Sequence, residues 1–206
     1  MSMKWAVLVG GTGSNLRAIL ESGIKVHLVI SHRADVPALR IAQTYGVPSR
    51  ALLPRDFVDR AAYDAAIANS LEDFGVEAVA LAGFLRWLTS PLIDRYRGAL
   101  VNLHPSLLPA YPGLHAIERA FRDRVWWSGV TIHFVDEGHD SGPIIAQRPV
   151  PRFMNDTVEE FSERMHLAEH QLYPRVIQEV DRGRVTLVDG RVCYNEEESP
   201  WMHGHL

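Results

Sequence analysis

Alternation of short apolar runs with amphipathic segments through the first hundred residues predicts a doubly wound, mostly parallel α/β sheet. Two further observations support that reading. A glycine-rich turn follows the first apolar run directly, and the pattern changes after Gly113 to two strands joined by a short loop. Strands are expected at Trp5 to Val9, Val26 to Ser31, Ser49 to Leu52, Ala78 to Ala82 and Leu100 to Leu103. The helices between them are expected at Asn15 to Glu21, Pro37 to Tyr45, Ala61 to Phe74 and Pro91 to Arg95. A helix over Ala116 to Arg122 then leads to strands at Gly129 to Val135 and Pro143 to Val150. A long helix from Thr157 to Val180 follows, with Asn155 and Asp156 as cap candidates and a kink or break expected at Pro174. Arg184 to Val188 and Arg191 to Tyr194, separated by Asp189-Gly190, read as a closing hairpin. With no repeat and no low-complexity linker, the two halves share one continuous sheet. We divide the chain into an N-terminal phosphate- and nucleotide-binding half (1–100), a C-terminal catalytic and folate-binding half (101–194) and a tail (195–206).

Composition bounds the function. The chain has 206 residues, 47% hydrophobic and 22% charged, with a formal net charge of -4 and charges of both signs interspersed. Nothing there points to nucleic acid or an anionic membrane. The one cysteine, Cys193, cannot form an internal disulfide and fits a reducing compartment. The longest apolar run, Val76 to Leu85, is too short to span a bilayer, and the first residues carry no secretory pattern. A cytoplasmic enzyme is expected.

Gly10-Gly11-Thr12-Gly13-Ser14-Asn15 lies between the first strand and the first helix. Glycines there permit close backbone approach, and free N–H groups at a helix start favour an anion, with Ser14 and Asn15 adding donors. A tight turn with no ligand accounts for the same residues. A dinucleotide is disfavoured: Leu16 stands where a third glycine belongs, and the second strand ends in His32-Arg33 without a carboxylate for a ribose diol. Arg33 keeps a 2′-phosphate, and so an NADP-binding module, in view.

Asn102, His104 and Asp140 fall at strand ends, where such a sheet places its chemistry. An amide and an imidazole can donate to an oxyanion while a carboxylate takes or relays a proton, a combination suited to acyl transfer onto an amine. Strand capping would use the same residues. No serine or cysteine stands as an obvious nucleophile: Ser106 sits between two prolines and Cys193 in a terminal hairpin. Direct transfer is therefore favoured over a covalent acyl-enzyme.

Asn102-Leu103-His104-Pro105-Ser106-Leu107-Leu108-Pro109, the segment Val130 to Gly142 and the opening Gly11-Thr12-Gly13-Ser14-Asn15-Leu16 closely resemble the phosphoribosylglycinamide formyltransferases, a branch of the folate-dependent formyltransferases. The resemblance runs from Val7 to about Ile177 in order and spacing, and it implies a Rossmann-like formyltransferase fold. It implies that the amine of glycinamide ribonucleotide attacks the formyl carbon of 10-formyltetrahydrofolate, a co-substrate, with no metal required. By resemblance, Asn102 and protonated His104 stabilise the oxyanion and Asp140 steers the proton. Gly11, Thr12, Gly13, Ser14 and Asn15 hold the phosphate and Glu169 the ribose. Arg60, Phe84, Leu85, Arg86, Trp87 and Leu88 clamp the folate, with Asn102, Gly138, His139 and Asp140 closing its pterin pocket. The resemblance also implies small-molecule partners only, a monomer or homodimer, and a cis Leu108-Pro109 bond.

Departures are modest: Leu85 and Trp87 stand where relatives often carry Met and Ile, Ser141 where glycine is common, and Ile117 where some carry a second histidine. Other formyl transfers remain as alternatives, namely to methionyl-tRNA or a sugar nucleotide, or hydrolysis of 10-formyltetrahydrofolate. His166-Leu167-Ala168-Glu169-His170 also matches an inverted zinc-protease pattern. It lacks an evident further ligand, and the resemblance gives Glu169 another role. His203 and His205 read as chance. Trp126-Trp127 reads as core packing or a surface contact, and Arg95, Arg97, Arg182 and Arg184 as solvated faces.

Overall fold

In the computed structural model, which describes residues 2–195, seven strands form one sheet in the order β3-β2-β1-β4-β5-β6-β7. The strands β1 (Trp5–Val9), β2 (Val26–Ser31), β3 (Ser49–Ala51), β4 (Ala78–Ala82) and β5 (Leu100–His104) are parallel. β6 (Trp127–Phe134) and β7 (Ile144–Pro151) add antiparallel to β5. β8 (Val185–Val188) and β9 (Arg191–Tyr194) form the expected hairpin as a separate two-stranded sheet.

The two-residue period of each strand serves two cores. On one face, Trp5, Val7 and Val9 pack with α1 (Ser14–Glu21), α2 (Pro37–Thr44), α5 (Ala116–Arg122) and α6 (Val158–Asp181). On the other, Ala6 and Leu8 pack with α3 (Arg60–Asp73) and α4 (Ser90–Arg95). The chain runs outward from β1 to β3 and returns to β4 on the other side of β1. The loops after β1 and β4 therefore diverge and open a crevice beyond the strand ends.

Three details differ from the sequence reading. α6 continues unbroken through Pro174, which is buried; packing on the sheet outweighs the backbone hydrogen bond that proline removes. Its cap is Thr157, in a capping box with Glu160, and not Asn155 or Asp156; Asp156 instead accepts from the Phe153 N–H and pairs with Arg164. β6 begins two residues early, because Trp127 pairs with Pro151, leaving Trp126 and Trp127 58% and 60% exposed instead of in the core. Arg95 and Arg97 pair with the exposed carboxylates of Glu72 and Asp94, whereas Arg182 and Arg184 share the buried carboxylate of Glu179. The tail beyond Asn195, with His203 and His205, lies outside the described residues. Among the described residues no helix is long and apolar enough to cross a membrane.

Tyr173 of α6 is fully buried, and its hydroxyl donates to the carbonyls of Leu81 (2.9 Å) and Val101 (3.1 Å), joining helix to sheet just below the crevice. Tyr173→Phe is expected to destabilise the fold by about 1–3 kcal/mol, because it leaves buried acceptors without that donor. A urea midpoint equal to that of the parent would refute this.

Candidate active site

The crevice is a cleft of about 730 Å³ at the carboxyl ends of β1, β4, β5 and β6. Its lining includes Gly11 to Asn15 from the loop after β1 and Phe84 to Leu88 from the loop after β4. Asn102 and His104 come from β5, Gly138 to Asp140 from the loop after β6, and Glu169 from α6. Sixteen residues apart from Arg60 carried expectations of function, and they converge here although they span both halves of the chain. Arg60 opens α3 behind the Asp59 cap and is exposed. It lines a neighbouring depression of about 430 Å³, which shares Leu85, Arg86 and Trp87 with the cleft.

At the glycine-loop end, Gly13 is the left-handed N-cap of α1 (φ 80°), a conformation that glycine adopts freely. Gly10 has no room for a side chain, since a Cβ would lie 2.0 Å from the His32 ring. That imidazole fills the space beside the loop, edge-on to Phe84 with ring centroids 5.0 Å apart. Burial holds the His32 pKa below the ordinary imidazole value. Asn15 Nδ2 donates to Glu169 Oε2 at 2.8 Å, so the first turn of α1 is tied to the middle of α6.

Asn102 and His104 are two apart on β5 and point to the same side. The His104 ring is 6% exposed, with Nε2 2.8 Å from the Tyr111 carbonyl and Nδ1 3.3 Å from Asp140 Oδ2. Both neighbours present acceptor oxygens to the ring nitrogens. Asp140 is held at φ 51°, in the left-handed region, and its Oδ2 accepts from the Gly113 N–H at 2.8 Å. His133 and His139 also approach this carboxylate, at 4.0 and 3.9 Å.

His133, which sequence reasoning left inside an apolar run, is a neighbour of this group. Strand register sets it opposite Asn102. Its Nδ1 donates to the Phe134 carbonyl at 2.8 Å, so Nε2 is left to accept from Asn102 Nδ2 at 3.1 Å. Burial, the largest influence, lowers its pKa and keeps the ring neutral for that task. The bond fixes the amide and leaves its second N–H for the cleft.

The proline-rich loop after β5 is pinned from below. Thr131 Oγ1 donates to the Ser106 carbonyl (2.7 Å) and accepts from the Leu108 N–H (3.0 Å), while Gln147 Nε2 donates to the Leu108 carbonyl (2.8 Å). Ser106 is fully buried and its hydroxyl donates to the Ala110 carbonyl, which makes it part of the turn. The Leu108-Pro109 bond is cis, as expected. These contacts hold the Tyr111 carbonyl against His104.

At the far end, the rings of Trp87 and His139 stack across the cleft, with centroids 4.8 Å apart and planes at 9°. Ser141 Oγ and the Gly138 N–H both bind Asp136 Oδ1 at 3.0 Å, which closes the loop that carries Asp140. The serine that replaces a common glycine thus takes part in the loop's own turn.

A family model described as formyl transferase matches residues 3–177. The chain belongs to the formyl transferase family. Among relatives in that family, the phosphoribosylglycinamide formyltransferase of Bacillus subtilis (strain 168) is 38% identical over 183 residues, 86% of this chain and 94% of that protein. The trifunctional purine biosynthetic protein adenosine-3 of Homo sapiens is 41% identical over 94% of this chain, which spans only 20% of that longer protein. The glycinamide ribonucleotide transformylase 1 structure from Symbiobacterium toebii superimposes with a TM-score of 0.91 at 39% identity, over 95% of each chain. The doubly wound sheet, with two antiparallel strands at one edge, is therefore this family's architecture in the present chain.

Proposed function

We propose that this formyl transferase moves the formyl group of 10-formyltetrahydrofolate to the amine of glycinamide ribonucleotide, a step of purine biosynthesis. One observation carries the reading: a single cleft joins an anion-ready glycine loop to the Asn102, His104 and Asp140 cluster. The likeness to phosphoribosylglycinamide formyltransferases over nearly their whole length supports it. Residues 1–100 supply the phosphate end and residues 101–194 the reacting groups.

The phosphate rests on the N–H groups of Gly11 to Asn15, with the hydroxyl of Ser14. Glu169, whose Oε2 is already occupied by Asn15, offers Oε1 to the ribose. The folate lies along Phe84 to Leu88, beneath the Trp87 and His139 rings, with Arg60 and Arg86 at the outer rim. Held end to end, the two substrates react as if within one molecule.

The amine attacks the formyl carbon, a C–N bond forms, and the carbonyl electrons move onto oxygen. The free N–H of Asn102 and the His104 Nδ1 proton stabilise that oxyanion. Asp140 draws the proton from the attacking nitrogen, directly or through water. The tetrahedral intermediate then collapses, the folate nitrogen leaves, and a proton passes to it through the same imidazole and carboxylate.

Isotope in the formyl group of the donor is expected to appear on the ribonucleotide amide; its appearance as free formate alone would overturn the proposal. Ser14→Ala combined with Asn15→Ala is expected to raise KM for the ribonucleotide by at least ~10-fold, from the loss of two hydrogen bonds. An unchanged KM would make the loop structural only.

A further inference from the structure

Three loops of the cleft meet at one half-exposed imidazole. His139 lies on the loop after β6, directly before Asp140, with its side chain 48% exposed. One face of its ring stacks on Trp87, from the loop after β4, which is itself half exposed. Its Nε2 edge lies against Gly113, from the loop after β5: a Cβ built on that glycine would sit 2.8 Å from the nitrogen. A stack with so much solvent around it is not imposed by core packing.

Asp140 is the neighbour that gains from it. Its backbone sits in the left-handed region at φ 51°, a conformation that persists only where the surroundings enforce it. Within the loop, Asp136 Oδ1 accepts from the Gly138 N–H and the Ser141 hydroxyl, which shapes the turn without tying it to another loop. The ties outward come from the next residues. Asp140 Oδ2 accepts from the Gly113 N–H at 2.8 Å, beside His104 Nδ1 at 3.3 Å, while the His139 ring is flanked by Trp87 and Gly113. Consecutive residues thus hold the same glycine: Asp140 by its N–H, His139 by the space its absent side chain leaves.

Resting on the formyl-transfer reading above, we infer that His139 and Trp87 are positioning residues whose stack holds Asp140 against His104. The stack presses the loop after β6 onto Gly113, so the carboxylate faces the imidazole with no ligand required to place it. Neither ring takes part in the proton transfer; together they fix the distance across which it occurs. Misplacing a reacting group by about 1 Å costs up to ~100-fold in rate, so a contact remote from the bonds that change can govern kcat.

The test compares the parent with Trp87→Ala, His139→Ala, the double variant and Trp87→Phe. Both rings are half exposed, so alanine removes the stack without opening the core. Deuterium exchange of the Gly113 N–H, followed by NMR on the ligand-free proteins, reads the Asp140 contact directly. It is expected to quicken about fivefold in each alanine variant, the worth of one aromatic pair. Trp87→Phe, which keeps a ring for the stack, should hold the parent rate. With both substrates saturating, kcat is expected to fall at least about fivefold in each single alanine variant and no further in the double, because the rings act as one contact. An unchanged exchange rate, losses that multiply in the double variant, or phenylalanine as impaired as alanine overturns the inference. So does a raised folate KM with kcat intact, which would make the rings folate contacts only. A parent that moves no formyl group to the ribonucleotide overturns the proposed function instead, and the exchange rates still decide whether the stack holds Asp140.

Discussion

His104→Ala and Asp140→Asn are each expected to lower kcat by at least ~100-fold while leaving phosphate-ligand affinity nearly unchanged. The geometry explains the separation. Both side chains lie at the ends of β5 and of the loop after β6, away from the glycine loop, and contact each other at 3.3 Å. Alanine at 104 removes a donor to the oxyanion and leaves the Tyr111 carbonyl and Asp140 facing an empty site. Asparagine at 140 keeps an oxygen for the Gly113 N–H but loses the negative charge that orients the imidazole and takes the proton. Because the two act as a unit, the double variant should fall little further than either single one. Parent-like turnover in either single variant, or multiplied losses in the double, would remove the mechanism.

Gly13→Ala is the substitution expected to cost most at the phosphate end. The residue sits at φ 80°, where an L side chain costs ~1–2 kcal/mol, and its Cβ would lie 2.6 Å from Ala38 Cα and 2.8 Å from Ala38 Cβ. Those atoms belong to α2 and cannot swing aside as a long side chain would, so overpacking adds ~1–3 kcal/mol. A total near ~2–5 kcal/mol would shift the denaturation midpoint strongly and move the loop N–H groups, raising KM for the ribonucleotide. An unchanged midpoint and KM would mean that α2 yields easily and the loop's tight fit is unimportant.

Much of this molecule can be read from local pattern, and what cannot has a physical cause. Trp5 to Val9 is a strand because its alternate residues must feed two cores, and the glycine loop is legible because a βα turn at a helix start needs φ values that few residues accept. Asn102, His104 and Asp140 were legible as strand-end polar residues beside prolines and glycines. His133 was not: its tie to Asn102 comes from antiparallel register between residues 31 apart, which no local periodicity encodes. The pinning of the proline loop by Thr131 and Gln147 is hidden for the same reason. Pro174 misled because helix propensity is local, whereas α6 is held by packing along its whole buried face. The opposite charge tendencies of His166 and His170, four residues apart on one helix, arise from Glu169 and from burial, neither of which a motif records.

The central claim is an acceptor-dependent formyl transfer. Purified protein is mixed with a 10-formyl folate and followed by absorbance, with and without glycinamide ribonucleotide. Deformylation that proceeds only when the ribonucleotide is present, in equal amount with product, is the predicted result. Deformylation at the same rate without it would instead make this cleft a site for hydrolysis, with water as the acceptor.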